Sequence, residues 1–248
     1  MTRGQTIERL AGIADRLRLA RDPVAFPANR SPWLRAVRGW QAQRLAISFA
    51  DFESLPHYRK AVAFFLEDLY GEQDMSWRDR DLARMMPTMT RWLPELMLET
   101  VADALELDWI SHVLDLRVAS RLEATMAMGP QVIDVAHYAR AYAEAGTRQE
   151  RQRQIELLIT VGRELESIVR KPIVYAVLRL ARGPAASAGL GGLQSFLERG
   201  FAAFRELGSA RHFLDTIETR ERKTMEGLLA GRDHPFGPGM KLTVTVGS

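Results

Sequence analysis

The residues best equipped for chemistry lie in three places. The first is the run Arg78-Asp79-Arg80-Asp81, with Arg84 just beyond it. Alternating carboxylates and guanidiniums beside a helix start suit magnesium or a phosphate group. Two aspartates one residue apart, however, point to different faces of a helix. Helix capping and pairing with Arg84 account for the same residues without a ligand. The second place is the glycine-rich stretch from Gly183 to Gly192, which follows Arg179 and Arg182 and leads into a helix. Backbone N–H groups at such a turn can cradle an anion. A tight helix–helix turn explains the glycines equally, and with no strand before it the dinucleotide fingerprint does not apply. The third is Glu221, which interrupts an apolar seam between Ile217 and Met225. A charge there requires either an exposed helix end or an arginine inside the fold. Arg78, Asp79, Asp81, Arg84, Arg182 and Glu221 are therefore the candidate ligand-binding residues.

Signatures of known helical chemistry are missing. No glutamate has histidine three residues later, so the di-iron spacing is absent. There is no His-Glu-x-x-His, no aspartate-rich magnesium cluster, no Walker loop and no serine elbow. His57 and Asp68 share a helix flank but sit about 16 Å apart along its axis, too far for a dyad. His112, His137, His212 and His234 are isolated in sequence, and a lone helical histidine is more often structural than a haem ligand. The chain contains no cysteine, which removes thiol chemistry and cysteine-ligated metals. No catalytic residue is assigned, and no metal or cofactor is expected.

The elements that would position these groups are helical almost throughout. Ile7, Leu10, Ala14 and Leu17 form a three-four stripe in a first helix that Pro23 stops. Ser31-Pro32 reads as an N-cap followed by proline at the first helical position, with Trp33, Val37 and Trp40 on one face. A helix from about His57 buries Tyr58, Ala61, Val62, Phe65 and Leu69, with Gly71 as its C-cap. Helical patterns continue over 92–106, 109–128, 132–145, 147–170, 173–180 and 193–207, and a last helix carries Phe213, Leu214, Ile217, Met225 and Leu228. LTVTV near the end has strand periodicity but no evident partner strand. The expected fold is one all-α domain of about nine or ten helices over residues 1–230, wrapped around the 147–170 and 193–207 helices. Residues 231–248 form a flexible tail.

Charge is unevenly spread. Residues 1–44 hold nine arginines and three acids, and residues 45–108 hold thirteen acids and six bases. A basic arm lying on an acidic section of the same fold explains this without a partner. A net charge of +3 steers weakly toward nucleic acid. The 30 arginines and 4 lysines read more simply as compositional bias than as phosphate recognition. No apolar run is long enough for a membrane helix, and the N-terminus lacks a secretory h-region, so a cytoplasmic location is expected.

FFLEDLYG, ending at Gly71, resembles the hallmark of an uncharacterised bacterial family, the FFLEELY-motif proteins, departing from it at Asp68. ISFADF at 47–52, RDRDLARMMP, the Arg170-Lys171-Pro172 restart, RGPAASAGLGGLQSFLERGFAAFRE and RHFLDTIETRE are similar to that family too. The likeness spans about Ile47 to Leu229. It implies a bacterial, helical, soluble protein and supplies no catalytic residue. The leading expectation is a non-catalytic cytoplasmic binding or adaptor protein, with a protein partner or self-association. The alternative is binding of, or action on, a small phosphate- or carboxylate-bearing ligand. Weak nucleic-acid binding through the basic arm ranks third, and no membrane partner is expected.

Overall fold

Short polar side chains decide where several helices begin. Thr2 accepts from the Gln5 N–H while Gln5 reaches back to the Thr2 N–H, which starts α1, Arg3–Arg21. Ser31 caps α2, Pro32–Ser48, by accepting from the Trp33 N–H, and Pro32 holds the first helical position as the sequence indicates. Asp134 caps α7, Val135–Ala145, and a Thr147/Glu150 capping box starts α8, Arg148–Val169. The computed structural model describes residues 2–69, 76–126, 132–232, 234–237 and 240–246, without the side chains of 67–69 and 76–79. The expected Gly71 cap lies outside these residues.

The other helices are α3 (Ala50–Glu53), α4 (Pro56–Ala63), α5 (Ser76–Trp92), α6 (Glu95–Met126), α9 (Pro172–Leu180), α10 (Arg182–Ser187), α11 (Gly191–Glu206) and α12 (Arg211–Leu229). After α4 the chain widens into a π-helical segment, Phe64–Leu69. The architecture is all-α, as expected. Two details differ. The segments read as 92–106 and 109–128 are one 32-residue helix, α6, because Leu107 and Asp108 continue the turn and Leu93-Pro94 sets the break before it. The LTVTV segment also finds a partner: Val244–Thr245 (β2) pairs antiparallel with Val132–Ile133 (β1), and Leu242 and Val246 are buried beside it.

α6, not the expected α8–α11 pair, is the element around which the first half is built. It packs against α1, α2, α7 and α8, while α8 also meets α11 and α12. The basic arm does lie on the acidic section. Arg9 donates to Asp103 and Glu106, both at 2.5 Å, and Arg21 donates to Asp108 at 2.6 Å. Beneath these pairs Leu10, Ile13 and Leu17 pack against Leu98, Ala102 and Leu105. A second core joins Trp33, Val37 and Trp40 of α2 to Val118 and Leu122 of α6 and Tyr138 of α7. Trp40 stacks on Tyr138 with ring centres 3.8 Å apart. A third joins Leu45, Phe49 and Tyr58 to Ile155 of α8, Phe204 of α11 and Phe213 of α12.

Two glycines permit close helix approach. A Cβ on Gly162 of α8 would lie 2.5 Å from Cδ2 of the fully buried Leu214, and one on Gly200 of α11 would lie 2.8 Å from Cζ of Phe64. Gly162→Ala is expected to destabilise the fold by about 1–3 kcal/mol through overpacking, overriding the ~1 kcal/mol gain in helix propensity. Urea denaturation of both proteins measures the difference.

Candidate functional site

The three sequence candidates do not converge in one place. Arg84 on α5 donates to the Ala188 carbonyl at 2.6 Å, and its other terminal nitrogen lies 3.8 Å from Asp81. It thereby ties α5 to the glycine-rich turn, where Gly189 has φ +69°. Arg182 makes a side-on fork with Glu198, Nε to Oε1 at 2.6 Å and Nη2 to Oε2 at 2.7 Å. That pairing, with Gln194 as a second donor, holds the Glu198 carboxyl down at about 2. The side chains of Arg78 and Asp79 lie outside the described ones.

Glu221 behaves differently. It enters the interior and meets Arg44 of α2, which donates to its two oxygens at 2.5 and 3.0 Å. Their side chains are 11% and 15% exposed, which makes this a desolvated pair and not a surface one. Of the two readings of Glu221, the internal arginine is the observed one.

Around this pair α2, α6, α7, α8 and α12 enclose a polar cleft. Its walls include Gln41, Arg44, Tyr142, Arg151, Gln154 and Glu221. Phe236 from the C-terminal segment forms part of the wall and lies against the Arg44 guanidinium, 5.8 Å from ring centre to guanidinium carbon. The cleft measures about 60 Å³, room for roughly four waters at ~15 Å³ each.

Arg151, in the first turns of α8, is the most unusual group in it. The residue is 3% exposed, and its guanidinium carbon lies over Tyr142, 3.8 Å from the ring centre. Nη1 makes a long 3.5 Å contact to Gln154 Oε1, while Nε and Nη2 are buried without a hydrogen-bond partner. Gln154 is fixed in turn by donating to Ser111 at 2.8 Å. Among the described residues Arg151 forms no ion pair. Burial drives the Tyr138 and Tyr142 hydroxyls up from their ordinary value, so both stay protonated near neutrality.

A second buried polar group flanks the cleft on α6. Asp115 accepts from Gln41 at 2.8 Å and lies 3.9 Å from Arg38. Burial pushes its carboxyl upward. His112, 2% exposed, has Nδ1 2.7 Å from Arg38 and Nε2 3.1 Å from the Ala20 carbonyl. An arginine can only donate and a carbonyl only accept, so this geometry assigns a neutral ring protonated at Nε2. Burial, reinforced by Arg21 and Arg38, lowers His112 to about 4.

Arg44, His112, Asp115 and Arg151 were not among the sequence candidates, yet they carried the signal that marked Glu221. Arg44 falls four residues after Trp40 on the Trp33–Val37–Trp40 stripe, and Arg151 falls four before Ile155 on the seam of α8. Charged residues at apolar positions are the ones that meet inside.

The fold and cleft define an all-α protein with a charged, partly neutralised interior. The chain belongs to a family described as a domain of unknown function, DUF8198, which matches residues 20–235. No curated protein and no solved structure is significantly similar to it.

Two outcomes follow. Glu221→Leu strands Arg44 in the interior and is expected to cost about 3–5 kcal/mol. Adding Arg44→Met should recover most of that loss in a double-mutant cycle read by denaturant unfolding. His112 gives a pH signature. Its folded value lies below the unfolded ~6.5, so between about 6.5 and 4 the unfolded chain binds the extra proton and stability falls as pH falls. Asp115, shifted upward, acts in the opposite sense, so the comparison needs a control that retains it. Wild type should lose more stability than His112→Gln between pH 7 and pH 5.

Proposed function

We propose that this chain is a non-catalytic binding protein whose interior cleft receives a small ligand bearing a carboxylate or phosphate. The buried Arg151 guanidinium, which lines the cleft with no ion pair among the described residues, carries this reading. A guanidinium that leaves two N–H groups unsatisfied in the interior is costly, roughly 1–3 kcal/mol per group. An anion admitted to the cleft beside this guanidinium offsets the cost of the buried charge. The remaining charges do not supply one: Glu221 is committed to Arg44, and Asp115 to Gln41 and Arg38. The polar walls offer amide, hydroxyl, guanidinium and carboxylate groups that hold a ligand by hydrogen bonds and charge. This supports binding as the activity.

The resemblance of FFLEDLYG and the segments around it to FFLEELY-motif proteins supports a bacterial source. No described helix is long and apolar enough to cross a membrane, which fits a cytoplasmic location. An adaptor role draws support from α9. Ile173, Val177 and Leu180 lie on one outward face and are 67%, 56% and 78% exposed, a surface suited to a protein partner or a second copy. Nucleic-acid binding through the basic arm is less well supported, because Arg9 and Arg21 are engaged by the acids of α6.

Arg151→Met tests the reading. It preserves length and apolar contact while removing the charge. The variant is expected to be as stable as wild type or more so. It should lose the rise in melting temperature that millimolar phosphate or propionate gives wild type. A variant that is strongly destabilised and still responds to both anions contradicts the proposal.

A further inference from the structure

We infer that the ligand of this cleft is a small monocarboxylate with a short apolar tail. This rests on the reading of Arg151 as an anion anchor and names the chemistry on either side of it.

The polar cleft does not stand alone. A second cavity, of about 50 Å³, adjoins it and shares Leu158 and Glu221 in its wall. The rest of that lining is Leu45, Phe49, Val62, Phe65, Leu66, Phe213 and Ile217, all apolar and three of them aromatic. One end of the combined space therefore presents guanidinium groups and the other presents hydrocarbon. That arrangement suits a ligand with a charged head and an apolar tail, and it disfavours a free inorganic anion, which leaves the apolar side unused.

The head is assigned to a carboxylate by charge, because the Arg151 guanidinium lines the cleft with one positive charge and no ion pair among the described residues. The protein itself pairs an arginine with a planar carboxylate elsewhere, where Glu198 meets Arg182 at 2.6 and 2.7 Å. Glu221 shows that a carboxylate is also accommodated at the junction of the two cavities. A phosphate dianion would add more negative charge beside Glu221 than one guanidinium neutralises.

The tail is limited by the apolar cavity. At ~15 Å³ for one water-sized group, about 50 Å³ takes three or four carbons. The tail passes Leu158, a side chain that can change rotamer, and lies against Phe65 and Leu66 of the π-helical segment.

Calorimetric titration of the full chain with acetate, butyrate, hexanoate, decanoate and inorganic phosphate tests this. Affinity should tighten about four-fold per CH₂ from acetate to butyrate, peak by hexanoate and fall for decanoate, with phosphate weaker than butyrate. Leu66→Trp fills the apolar cavity and should erase the advantage of butyrate over acetate while leaving acetate binding in place. The wild-type series decides the matter even where that variant fails to fold. Equal binding of acetate and hexanoate, or tighter binding of phosphate than of any carboxylate, overturns this inference and leaves the anion cleft standing. Absence of binding by every anion overturns the cleft reading with it.

Discussion

The Arg44–Glu221 pair constrains more of this structure than any other single interaction. It joins α2 to α12 across 177 positions of sequence, and both side chains are largely withdrawn from water. A buried charge is tolerated only with a partner close by, so these two helices must meet in one register. α6 packs against α2, α7 and α8, α12 packs against α7 and α8, and residues of all five helices line the cleft. The pair gives the interior definition of position more than it gives net stability, since desolvation takes back much of the Coulomb gain. Its neighbourhood is incompletely balanced. Arg151 comes from α8 into the same space and finds an aromatic face and a glutamine in place of a carboxylate. The candidate function grows from that imbalance.

The groups that drew most attention as sequence serve the scaffold where they are described. Arg84 fastens α5 to the glycine-rich turn, and Arg182 fastens α10 to α11 through Glu198. The FFLEDLYG segment has a double role. Phe64 fits against Gly200, while Phe65 and Leu66 line the apolar cavity. π-Helical geometry is rare and concentrates at functional sites, and here it contributes two adjacent residues to one cavity wall. The C-terminal segment closes another side: β2 pairs with β1, and Phe236 reaches the cleft.

The helices were legible because their signals are local. The proline after Ser31, the Ile155–Leu158–Gly162 seam and the stops at Pro23 and Gly146 each act within a turn or two. The division of α6 was misread because the charged pair at Glu106 and Asp108 looks like a boundary, whereas those acids sit on the flank that receives Arg9 and Arg21. The strand pairing was illegible because two residues of β1 carry no periodicity. The cleft was half legible. Glu221 on an apolar seam announced a buried partner, but naming Arg44 required knowing that α2 crosses α12. Arg151 was hidden among the arginines that open α8, where Arg148 and Arg153 are ordinary surface residues and Arg151 alone turns inward. Packing between distant helices decides such cases, and a single sequence does not encode it in any one window.

The central claim is that the buried guanidinium of Arg151 is the anchor for an anion. The Nε–Hε resonance of that side chain, identified by its loss in Arg151→Lys, reports on it directly by nuclear magnetic resonance. On saturation with butyrate the account predicts a large downfield shift of this one resonance and slower exchange of its proton with water. An Arg151 resonance that stays in place while butyrate binds elsewhere would contradict it.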